Sequence, residues 1–165
     1  MLDTSIDQID LLKNLLTNTN DKNKLSVAYA AWAAVYTTSS KYLKNMVLEI
    51  INEPTAAQKR DIEFAVARMG VTNPYFIARQ YADIAEGGTL EALNFRTLAT
   101  LAIKNETQYH HACVAISLIN GGHMCLRSHV SSLQQANESD KNIDISMRIA
   151  AVCHSLSIMD KSSNI

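Results

Sequence analysis

Breakers of regular backbone are scarce in this chain: its 165 residues hold two prolines and five glycines. Between these points apolar residues recur at three- and four-residue intervals, and no strand-like alternation of useful length and no repeat of 20 to 50 residues is present. The pattern predicts an all-α domain. A first amphipathic helix is expected over 5–16, with Ile6, Ile9, Leu12, Leu15 and Leu16 on one side, followed by a polar loop over 17–24. An Ala-rich helix over 25–37 has small side chains that permit close approach of neighbours, and 42–51 continues the helical pattern until Pro54.

Thr55 is a suitable N-cap for a helix that should end at Gly70, and Asn73-Pro74 should restart one over 75–85, closed by Gly87-Gly88. Further helices are expected over 90–103, 106–119, 123–135 and 143–159. Asn120-Gly121-Gly122 separates the 106–119 and 123–135 segments. One domain over 1–165 follows, with a helix and loop over 1–24 and a frayed tail over 160–165.

Composition excludes several roles. The formal charge of -1 supplies no basic field for nucleic acid or an anionic membrane. No run of about 18 apolar residues is long enough to span a bilayer, and the N-terminus does not resemble a secretory signal. A soluble, cytoplasmic protein is the expectation. Cys113, Cys125 and Cys153 are odd in number and sit in helical patterns, unlike a secreted disulfide framework, so reduced thiols are expected.

Chemistry concentrates between His110 and His129. Two glycines release the chain from one helix, and Cys125 falls in the first turn of the next, where unpaired N–H groups and the positive end of the helix dipole favour thiolate. His129, four residues on, projects from the same face and completes a Cys/His pair. His110 and His111 diverge by about 100° around their helix, so one should face solvent. A competing metal reading groups His110 or His111 with His123, Cys125 and His129, but their spacing matches no strong ligand pattern, so no metal or other cofactor is expected. Cys113 and Cys153, set among Ala, Val and Ile, read as core.

Ile119-Asn120-Gly121, Cys125 and His129 resemble the motif of the alkylhydroperoxidase D (AhpD) and carboxymuconolactone decarboxylase superfamily. In that motif Ile-Asn-Gly precedes Cys-x-x-Cys-x-x-x-His, and a glutamate stands twelve residues before the first cysteine. Here Gly122 occupies the first cysteine position and His110 the glutamate position. The segment Met69-Gly70-Val71-Thr72-Asn73-Pro74-Tyr75-Phe76 is similar to a second family pattern.

The resemblance implies an AhpD-like multi-helix fold and a homo-oligomer, a trimer or a multiple of it. It also implies thiol-dependent reduction of small-molecule hydroperoxides, coupled to a peroxiredoxin or thiol reductant. Cys125 would be the nucleophile, His129 would activate or orient it, and His110 would take the proton-relay position. Two other readings stand beside this one. One is decarboxylase-like acid-base chemistry on a small carbonyl or lactone compound, worked by His110 and His129. The other is a non-catalytic helical scaffold that has lost redox chemistry with the cysteine.

Overall fold

The computed structural model describes residues 4–162 and contains, among them, seven α-helices and no strand. They are α1 (Ile6–Thr17), α2 (Lys24–Thr38), α3 (Lys41–Leu48), α4 (Ala56–Tyr81), α5 (Glu106–Ile119), α6 (His123–Gln135) and α7 (Asp140–Ser162). The all-α expectation holds.

The centre is α2 against α5. Seven consecutive residues of α2, Tyr29 to Val35, are buried, so this helix has no polar face and must be enclosed. Its alanines let α5 and α7 close on it from two sides, while α4 packs on both α2 and α5, and α1 covers α7. Trp32, the largest buried side chain, satisfies its indole N–H by donating to the Asn52 carbonyl at 3.0 Å. Along α1, Ile9, Leu12, Leu15 and Leu16 face the core as expected, but Ile6 is exposed.

Local chemistry sets most of the ends. Thr55 and Gln58 form a capping box at the start of α4, side chain to backbone in both directions. The end of α5 is a Schellman closure, in which Gly122 N–H donates to Ser117 O at 2.8 Å and Gly121 N–H to Leu118 O at 3.2 Å. Gly121 has φ +69°, a left-handed conformation that favours glycine at this position.

Two expectations fail. Gly70 and Asn73-Pro74 do not interrupt α4, which runs through both. Its buried residues Asp61, Ile62, Ala65, Met69, Thr72 and Asn73 form one unbroken stripe, and that burial outweighs the backbone hydrogen bond Pro74 cannot donate. The 90–103 helix is absent: 82–104 is an irregular excursion with a single 3₁₀ turn at Glu91–Leu93. Thr89 and Thr97 hydroxyls take the Ala92 and Thr100 N–H groups, and Asn94 and Ala102 have positive φ, so side chain and backbone both leave the helical path. Helix α7 runs through Ser162, and the rest of the expected frayed tail, 163–165, lies outside the described residues.

Candidate active site

The turn between α5 and α6 positions the thiol. Gly122 is the N-cap of α6 and its carbonyl accepts from Leu126 N–H at 2.8 Å, leaving Cys125 in the first turn. Gly122 is also a point of closest packing: a Cβ added to it would lie 2.4 Å from Nδ2 and 2.5 Å from Cγ of Asn73. Asn73 is fully buried on α4 and fixed there, donating to Ser117 Oγ at 3.2 Å and accepting from Asn120 Nδ2 at 3.1 Å. The α4 stripe thus fills the space that a side chain at position 122 would occupy.

Cys125 is 7% exposed and opens on a cavity of about 770 Å³ lined by α4, α5, α6 and the 82–104 excursion. His110 and His129 line the same cavity, so the three candidate residues converge. The imidazoles pair directly, Nδ1 to Nδ1, at 2.9 Å. His129 therefore spends Nδ1 on His110 and not on sulfur.

Burial, then the neighbouring His110, then Arg68 push His129 down to about 3. Burial lowers His110 as well, against the opposing pull of Glu106, whose Oε1 lies 3.7 Å from His110 Nε2. Both rings are thus neutral near pH 7. A carboxylate on that side favours the proton on His110 Nε2; His110 Nδ1 then accepts from His129 Nδ1–H, and the lone pair of His129 falls on Nε2.

Glu106 is one residue the sequence reading did not single out, although its i, i+4 spacing to His110 was visible. It stands where an exposed carboxylate can exchange protons with solvent. Arg68 and Tyr109 are two more, both lining the cavity. Arg68 lies close enough to act electrostatically on Tyr109, Cys113 and His129.

The other histidines go elsewhere, and neither His110 nor His111 is solvated. His111 is wholly buried, with Nδ1 2.8 Å from Ser146 Oγ and Nε2 3.2 Å from Glu138 Oε2. It pins the α6–α7 corner. His123 is exposed. Among the described residues no three His, Cys, Asp or Glu side chains gather as a metal ligand set would require. Cys113 and Cys153 are fully buried, and desolvation pushes each thiol up to about 12, so both stay protonated at neutral pH.

Among the described residues no helix is long and apolar enough to cross a membrane. No family model matches the chain. Over 102 residues, 59% of its length, it is 37% identical to alkyl hydroperoxide reductase AhpD from two strains of Caulobacter vibrioides. The match takes in 54% of those proteins, so the chain spans about half the length of the curated relatives it matches. Helical architecture and partial sequence identity agree: this is an all-α chain, among its described residues, with AhpD-like similarity over more than half its length.

Proposed function

We propose that the chain is an AhpD-like antioxidant protein that reduces organic hydroperoxides through Cys125. The observation that carries this reading is the meeting of one thiol and two paired imidazoles in a single cavity, on a chain similar to AhpD. The Cys125 sulfur attacks one peroxide oxygen, an S–O bond forms as O–O breaks, and the alcohol departs with a proton. Free N–H groups in the first turn of α6 can hydrogen-bond the negative charge on sulfur.

His129, neutral and lining the same cavity as the thiol, orients it, and the His110–Glu106 pair links that side of the cavity to solvent. Cys125 is left as a sulfenic acid. Position 122 carries no thiol, and Cys113 and Cys153 are enclosed and protonated, so the reductant is an external thiol. It displaces water from the sulfenic acid, and a second thiol then frees Cys125. A peroxiredoxin partner, cytoplasmic location and homo-oligomeric assembly belong to the same proposal.

Wild-type protein and Cys125→Ser are compared in a peroxidase assay under several thiol reductants. Loss of turnover in the variant is expected, and equal rates would remove the idea. The His110–His129 pair also favours a second reading, acid-base chemistry of the carboxymuconolactone decarboxylase kind. It ranks lower because a ring at about 3 is a poor base at neutral pH. Under it, His129→Ala abolishes turnover and Cys125→Ala does not.

A further inference from the structure

After α4 ends, residues 82–104 run back along it in the opposite direction, and α4 side chains hold this backbone at intervals. Arg79 donates to the Ile84 carbonyl, and Tyr75 Oη accepts from Gly88 N–H at 2.8 Å. Further along, Arg68 donates to the Arg96 carbonyl, and Arg60 Nη2 donates to the carbonyls of Leu101 at 3.2 Å and Ala102 at 3.0 Å. Arg68 also lies over the Phe95 ring, 5.2 Å from its centroid, and Arg96 over the Phe64 ring of α4 at 5.7 Å. Among the described residues, every hydrogen bond from 82–104 to another element goes to α4. None reaches α5 or α6, which supply the opposite wall of the Cys125 cavity.

The fastening is uneven along the segment. At one end Tyr75 fixes Gly88; at the other, Leu98 and Ile103 pack on the core and Leu101 is buried. Between these ends 89–97 contains no buried residue, yet Leu90, Glu91, Asn94, Phe95, Arg96 and Thr97 line the cavity. So little burial makes its local opening free energy small beside that of the helices. Gly87 and Gly88, with φ +79° and +78°, form a natural hinge at its start. What ties its middle to α4 is Arg68, through the Arg96 carbonyl and the Phe95 ring, with Arg96 on Phe64 beside it.

We infer that residues 89–97 are a lid over Cys125, fastened along α4 by Arg68 and able to swing away from α6, where nothing bonds it. Cys125 is 7% exposed with the lid in place, so a bulky reagent reaches the sulfur only when the lid lifts. The lid governs access to the thiol and not the reaction there, so the inference stands apart from the peroxidase reading.

Two neutral maleimides of different bulk, N-methylmaleimide and N-(1-pyrenyl)maleimide, test the lid on the full chain. Cys113 and Cys153 are fully buried and protonated, so alkylation of the native protein reports Cys125. A change in the reactivity of the thiol itself alters both rates alike and cancels in their ratio. Arg68→Met should speed the pyrenyl reagent at least about fivefold, while the methyl reagent changes less than about twofold. Phe95→Leu, which keeps the guanidinium, should move the ratio in the same direction by a smaller factor. Hydrogen exchange read by mass spectrometry is the second measure: Arg68→Met should accelerate exchange over 89–97 and leave 98–103, α5 and α6 unchanged. Equal acceleration of both maleimides, a pyrenyl rate no faster than wild type, or an increase in exchange spread over the helices would each overturn the lid. In the wild-type chain alone, amides of 89–97 exchanging as slowly as those of α5 would overturn it as well.

Discussion

Replacing Gly122 by cysteine puts a thiol where the family resemblance expects one, and the packing around Asn73 resists it. The backbone at 122 is acceptable to any L-residue, with φ -79°, so the cost is steric and not conformational. The new Cβ would meet Asn73 at 2.4 Å (Nδ2), 2.5 Å (Cγ) and 2.8 Å (Cβ). Rotating the amide away relieves the first two contacts but breaks its bonds to Ser117 and Asn120. The Cβ contact persists and requires α4 and the α5–α6 turn to separate.

Two buried hydrogen bonds at about 1 kcal/mol each, plus the desolvation cost of groups left unpaired, amount to roughly 2–4 kcal/mol. At about 2–4 °C per kcal/mol for a chain of this size, Tm should fall by roughly 5–15 °C. The assay is thermal and urea unfolding of wild type, Gly122→Cys, Asn73→Ala and the double variant. Because the two substitutions contest one space, the double variant should be more stable than the sum of the singles by about 1 kcal/mol or more. A Gly122→Cys protein melting with wild type, or strict additivity in the cycle, would refute the steric account.

Two further outcomes follow from the buried imidazoles. His129 has a folded value of about 3 against 6.5 for the free side chain, so between those values the unfolded chain takes up a proton that the native state refuses. Its stabilising contribution is complete above about pH 6.5 and is lost as pH falls towards 3; by pH 4.5 the loss is roughly 2–3 kcal/mol. Urea unfolding across pH 7.5 to 4.5 should show this slope, flattened in His129→Gln; parallel curves would contradict the burial argument. At the α6–α7 corner, Glu138→Ala removes the acceptor of the fully buried His111 Nε2–H and should cost about 1–3 kcal/mol at pH 7, read as a lowered urea midpoint with unchanged m-value.

Where structure follows from neighbours in the chain, it was legible. The limits of α5 and α6 match their expected positions because apolar spacing and the Asn120-Gly121-Gly122 break are both local signals. Cys125 and His129 share one helix, and His110 joins them because α5 and α6 are adjacent across that short turn. Long-range packing was not legible. Nothing near Gly70 or Pro74 announces that Met69, Thr72 and Asn73 would be held inside, so punctuation that ends many helices was read as ending this one.

Over 90–103 the apolar residues have almost helical spacing, but threonine hydroxyls and two positive-φ residues win the competition for the backbone. Nothing in the sequence marks Tyr109 and Arg68 as lining the same cavity as Cys125, because α4 and α5 meet there only through tertiary packing.

The excursion over 82–104 has a consequence for how such a protein can diversify. It contributes Leu90, Glu91, Asn94, Phe95, Arg96 and Thr97 to the cavity, whereas Cys125 and both imidazoles are mounted on helices. The thiol and imidazoles and one wall of the cavity are therefore inherited on separate parts of the chain. Substitutions, insertions or deletions in this one wall can reshape the cavity while leaving Cys125 and the two imidazoles in register, because an irregular exposed segment absorbs length changes that a buried helix would transmit to the core.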